Sequence, residues 1–158
     1  LRVDMPSSWF NDQTYLDTLN PEAVRKFIEI THEAYYREVG EHFGGVCPAI
    51  FTDEPSFGLV NSIGGLNVPV GRFRTSPWTG KFVALFQERF GYDILDHLPE
   101  LFFPMRDQKY SKALYDYMEE ITSLFVNSYP RQIGQWCQDH NIAGLCLTMY
   151  RDQKPLRI

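Results

Sequence analysis

Apolar residues return in two different rhythms along this chain. Val24, Phe27, Ile28, Thr31, Ala34, Tyr35 and Val39 recur every three or four positions, the spacing of one helix face. Asn20 is a good N-cap, Pro21 suits the first helical position and Glu22 favours the positive helix end. A helix is therefore predicted from 21 to about 40, stopped by Gly44 and Gly45. Val46 to Thr52 is instead a short, nearly continuous apolar run, which suits a strand buried on both faces of a parallel sheet. Residues 55 to about 77 form a long loop rich in Gly, Pro, Ser and Asn, and loops of this length are usually functional or disordered.

The helical rhythm then resumes. Phe82, Leu85, Phe86 and Phe90 predict a helix over 77–90, with Gly91 as its C-cap. Asp93 to Phe103 reads as a helical turn and loop broken by Pro99 and Pro104. Leu114, Tyr115, Met118, Ile121, Phe125, Ile133 and Trp136 mark the buried side of a long helix over about 107–139, which Pro130 should kink or interrupt. Ile142 to Tyr150 is a further strand, and Leu1 to Met5 the end of another. Strand, helix, strand, helices, strand is the alternation of an α/β protein with parallel strands.

Composition changes this picture little. The 158 residues suffice for one core, and 44% hydrophobic content is ordinary for a globular chain. The 15% aromatic share is high and fits either a core or a binding cleft, because aromatic rings stack on sugars as well as on each other. A net charge of -5 argues against a nucleic-acid surface. The densest basic stretch, Arg106 to Lys112, is interleaved with Asp107 and reads as a solvated helix start. No run of eighteen apolar residues predicts a membrane span. Leu1 is not an initiator, and Arg2 and Asp4 interrupt any leading apolar segment, so the chain reads as starting inside a larger protein.

Metal and disulfide chemistry find little support. Cys47, Cys137 and Cys146 are widely spaced and odd in number. His32-Glu33 begins like a zinc-binding H-E-x-x-H, but Tyr36 stands where the second histidine belongs, so His32 is expected on a helix surface. The candidate chemistry lies in "AIFTDEPSF", residues 49 to 57. Asp53 and Glu54 arrive where an apolar strand surfaces, and the carboxyl ends of parallel strands are the working face of α/β folds. Partial desolvation and a neighbouring acid both favour a protonated carboxyl, as a general acid requires. The alternative is that both acids cap the turn at Pro55 or satisfy loop donors. Asp17 and Asp4 are weaker candidates of the same kind. Trp9, Phe10, Phe57 and Trp78 lie in or beside loops of the same face and can form a sugar-stacking platform, though Phe10 and Trp78 also suit the covering of helix ends. Trp136 follows the helical stripe and belongs to the core.

Two segments carry a family likeness. "SWFNDQTYLDTLNPEAVRKFIEITHEAYY" leads into "GVCPAIFTDEPSF", and "PWTGKFVALFQERFGYDILDHLPELF" leads into "ALYDYMEEITSLFVNSYPRQIGQWCQDHNI". The order and spacing of TDEP, the RFGYD helix end and the YDY…W helix resemble the barrel domain of large bacterial glycoside hydrolases, close to the α-L-rhamnosidase type. The resemblance implies that residues 1–158 are a fragment of one catalytic domain, a partial (β/α)8 TIM barrel. It implies Glu54 as a catalytic carboxylate with Asp53 as its supporting neighbour. Trp9, Phe57, Asp17 and Trp78 become substrate-binding candidates. It also implies a carbohydrate substrate and, as partners, the remaining barrel segments of a larger chain. Calcium has a place in some relatives, but no self-sufficient ligand set is found here, so no cofactor is expected. The tail "NIAGLCLTMYRDQKPLRI" departs from the pattern: the Gly-His turn of the relatives is missing and Asp152 is the only acid left. Residues 143–158 are therefore atypical, as a shifted frame or truncation would make them, and the second catalytic carboxylate is expected outside this chain. The rival readings are a non-catalytic carbohydrate-binding or structural module, and a gene remnant.

Overall fold

A computed structural model describes residues 6–53, 55–57, 76–103 and 111–147. The predicted strand at 1–5, Glu54, most of the 55–77 loop and the tail beyond 147 lie outside the described residues. The first helical arm begins as expected. Asn20 accepts the Glu22 N–H at 3.0 Å and Pro21 opens α1 (Pro21–Phe27). A π-helical turn (Ile28–His32) follows, closed by the Glu33 N–H donating to the Ile28 carbonyl, and α2 (Glu33–Val39) completes the arm. A π turn inserts one residue into the helical repeat. That insertion brings His32, rather than the predicted Thr31, to the buried side, and Tyr35 and Tyr36 both stay exposed. Tyr35 is 56% exposed, and His32, expected on the surface, is fully buried.

Strand β1 (Ala49–Asp53) pairs in parallel with β2 (Ala143–Leu147), Ile50 opposite Gly144 and Thr52 opposite Cys146. The chain between them carries α3 (Phe82–Phe90), a 3-10 turn (Ile94–His97), α4 (Leu98–Phe102), α5 (Lys112–Ser128) and α6 (Pro130–Asp139). The protein is thus a mixed α/β chain with a parallel strand pair joined by a long helical crossover. The β1 strand is not buried on both faces as the apolar run predicts. Ile50 packs against the cluster around Tyr129, Ile133 and Trp136, whereas Phe51 is 51% exposed and Asp53 is exposed. Among the described residues, helices cover one face only.

Two further boundaries differ from the expectation. The helix predicted at 77 begins at Phe82, because Thr79 and Gly80 form a turn in which the Phe82 N–H donates to the Thr79 carbonyl at 3.1 Å. The helix predicted over 107–139 is two helices. Ser111 caps α5 by accepting the Leu114 N–H at 2.9 Å, and Pro130, which has no N–H to give, starts α6. Gly91 ends α3 at φ +80°, a left-handed position that suits glycine.

Two apolar clusters result. Phe82, Phe86, Ile94, Leu101, Ala113, Tyr117 and Ile121 form the first, among α3, α4 and α5. The buried side of α5 also carries Asp116 and Glu120, and Tyr115, predicted inside, is 68% exposed. The two acids are tolerated because each is paired. Asp116 accepts from Lys112 and from the Tyr92 hydroxyl, and Glu120 accepts from Arg89. The Tyr117 hydroxyl donates to the Pro77 carbonyl at 2.5 Å, and burial holds it well above the usual tyrosine range. The second cluster, Val24, Ile28, Tyr129, Ile133, Trp136, Cys137 and Ile142, joins the helical arm to α6 and the sheet. Among the described residues no helix is long and apolar enough to cross a membrane.

Candidate functional site

The carboxyl end of β1 opens into a cavity of about 330 Å³. Its walls come from three places. Phe51, Thr52, Asp53 and Pro55 belong to the strand and its exit; Phe10, Thr14, Tyr15, Leu16 and Thr18 belong to the N-terminal loop; Phe27 and Tyr129 close it from the helical side. The lining is aromatic and apolar with hydroxyls and one carboxylate, a surface suited to a neutral polyhydroxylated ligand with apolar faces.

The N-terminal loop is held in place by defined bonds. Ser7 pairs with Gln13 across a tight turn, with Asn11 and Asp12 at positive φ of 55° and 59°. These short polar residues tolerate that region. The Phe10 and Tyr15 rings meet at 5.1 Å. The Tyr15 hydroxyl accepts the Ser56 N–H at 3.0 Å, and the Thr18 hydroxyl donates to the Ser56 carbonyl at 2.8 Å. The loop is thereby clamped to the chain just after the strand end.

The predicted site residues fall in different places. Asp53 is exposed at the end of β1 and lines the cavity. Glu54 follows it in sequence and lies outside the described residues. Trp9 falls in the 3-10 turn Ser8–Phe10, and its side chain lies outside the described residues. Asp17 is committed to structure. One of its oxygens accepts the Leu19 N–H at 3.1 Å and the other accepts the Thr79 hydroxyl at 2.7 Å, tying the loop to the turn before α3. Trp78 packs on Phe82 at 4.6 Å and Phe57 on Phe125 at 5.0 Å, both against the first apolar cluster. Neither lines the cavity, whose aromatic walls are Phe10, Tyr15, Phe27, Phe51 and Tyr129.

The sequence reading gave no place to Thr14, Thr18 or Tyr129. Tyr129 sits at the break between α5 and α6, and only the Pro130 signal next to it hinted at an irregular position. Among the described residues no group of three His, Cys, Asp or Glu side chains could hold a metal ion, and Cys47 and Cys137 are free thiols. A scan against protein-family models, a search of curated proteins and a search of solved structures each returned no match.

Proposed function

We propose that this chain is part of a glycoside hydrolase barrel of the α-L-rhamnosidase type, in which Glu54 acts as the general acid. The observation that carries the reading is the aromatic and hydroxyl-lined cavity at the carboxyl end of β1, where Asp53 stands immediately before Glu54. The arrangement of the sheet agrees with it: a parallel pair, a helical crossover and helices on one face are the parts of a (β/α)8 unit. A whole barrel needs eight strands and roughly 250 residues, so the rest of the cleft and the second carboxylate come from other segments.

Hydrolysis of a glycosidic bond requires an acid on the leaving oxygen and a second carboxylate as base or nucleophile. Glu54 supplies the proton, and Asp53 orients a donor or sugar hydroxyl. In the longer protein that this reading requires, Glu54→Gln keeps sugar binding and loses on the order of 10² to 10⁴-fold in rate. The loss shrinks for aryl glycosides with very good leaving groups, which need little protonation. Asp53→Asn affects binding more than leaving-group dependence. An equal loss from Glu54→Gln on good and poor leaving groups would reassign Glu54 as base or nucleophile. The 158-residue chain alone is expected to be inactive. The lining, with a single carboxylate among its described residues, also favours a second reading, a carbohydrate-binding module; sugar binding without turnover by the longer protein would select it.

A further inference from the structure

His32 is the most unusual polar residue in the described fold. It is 1% exposed, and among the described residues neither ring nitrogen has a hydrogen-bond partner. Buried imidazoles ordinarily give their N–H to a carbonyl or carboxylate. Here the ring lies between the edges and faces of two aromatics, Phe27 at 5.3 Å and Trp136 at 5.1 Å, both nearly perpendicular to it. It also ends the π turn, where helical hydrogen bonding is least regular.

The titratable neighbours offer a charged ring little help. Glu33 is next to it on its own helical arm; Tyr36 and His140 lie against its partner Trp136, Cys137 follows Trp136 on α6, and Tyr129 stacks on its other partner, Phe27. Only Glu33 carries negative charge. Its carboxylate already accepts the Trp136 indole N–H at 2.7 Å and lies 3.9 Å from His140 Nε2. Burial holds the His32 ring below the ordinary histidine range, and the Glu33 charge opposes this only in part.

We propose that His32 is an acid-operated latch: neutral, it packs the helical arm against α6, and its protonation releases that contact and loosens the wall of the strand-end cavity. The link to the cavity is direct. Phe27 touches His32 on one side and lines the cavity on the other, where its ring also stacks at 6.3 Å on Tyr129, a second cavity residue. The latch concerns whatever ligand the cavity takes and does not depend on the glycosidase reading.

The direction of the effect follows from linkage. Above a pH of about 6.5, the ordinary histidine value, folded and unfolded chains both hold His32 neutral and stability is complete. As pH falls below that value the unfolded chain takes up a proton that the folded chain refuses. The unfolding constant then rises by up to about tenfold per pH unit, until the pH reaches the depressed folded value. Two measurements on the 158-residue chain test this. The His32 Cε1–H resonance of the folded protein should stay constant from pH 7.5 to below 6, and a midpoint at or above 6.5 would overturn the latch. In urea unfolding, His32→Phe should remove close to one proton's worth of pH dependence; an unchanged dependence would also overturn it. If His32→Phe does not fold, the resonance alone decides. Ring resonances of Phe27 and Tyr129 should shift or broaden with acid in the unmodified chain, and rings that stay fixed while the folded population falls would sink the link to the cavity.

Discussion

The helical cluster under α3, α4 and α5 and the cluster under the sheet are built from similar residues, yet they are finished to different degrees. In the first, Phe82, Phe86, Ile94, Leu101, Tyr117 and Ile121 are each wholly removed from solvent, and rings meet at 4.7 to 5.9 Å around Phe86. Its buried acids have partners. In the second, helices cover one face of β1 and β2, while Phe51 on the other face is half exposed. Each strand pairs only with the other, so among the described residues each leaves an edge unpaired. The difference teaches where further structure belongs: a closed helical cluster needs none, whereas an open parallel pair does, since parallel sheets are ordinarily covered on both faces.

The largest expected effect breaks the closed side. Phe86→Ala removes a wholly buried ring and should cost about 3–5 kcal/mol by denaturant unfolding. Phe51→Ala on the open face should change stability by no more than about 0.5 kcal/mol in the 158-residue chain. The contrast sharpens in the longer protein proposed above. There the part of Phe51 that does not line the cavity would meet barrel side chains and its truncation would cost more, while the Phe86 cost would stay the same. Equal Phe51 costs in both chains would mean that nothing covers this face.

A smaller effect probes the finished face of the sheet. Gly144 lies against α6, and a Cβ there would stand 3.1 Å from Cys137 Sγ. Cys137 is itself buried, so it has little room to move. Gly144→Ala should cost about 1–2 kcal/mol, the lower range of overpacking costs, even though alanine otherwise favours a strand over glycine. In a Cys137→Ala background the same change should become neutral or stabilising. A double-mutant cycle showing no coupling would remove this close approach from the account.

What the sequence made legible were the features written in neighbouring residues. Asn20-Pro21, Gly91 and Pro130 each act within a turn, and each start, stop or break is found close to where those residues stand. The apolar runs that became β1 and β2 were legible for the same reason. What escaped depends on distant partners or on phase. Asp116 and Glu120 look like surface residues until Lys112, Tyr92 and Arg89 are brought to them. The Asp17–Thr79 bond joins positions 62 apart, and the Tyr15 and Thr18 bonds to Ser56 span 41 and 38. No local pattern announces such ties, so the bond from Asp17 to Thr79 is not legible from the residues around Asp17. His32 was misplaced by one inserted residue: a regular helical repeat cannot foresee a π turn.

The smallest effect tests whether the sheet side is unfinished at its flank as well as on its face. Gly134 sits inside α6 beside a recess of about 220 Å³ that Ile50, Thr52, Pro130, Ile133 and Gly144 also line. A Cβ at Gly134 would meet nothing within 4 Å. Glycine in a helix interior costs about 0.5–1 kcal/mol relative to alanine, chiefly through the greater freedom it has when unfolded. Gly134→Ala should therefore stabilise the 158-residue chain by about that amount, read as a raised denaturant midpoint at unchanged slope. In the longer protein, a neighbouring element packed into the recess would meet the new methyl and cancel or reverse the gain. Equal stabilisation in both would leave the recess as plain surface. The search for a covering segment would then narrow to the face that carries Phe51.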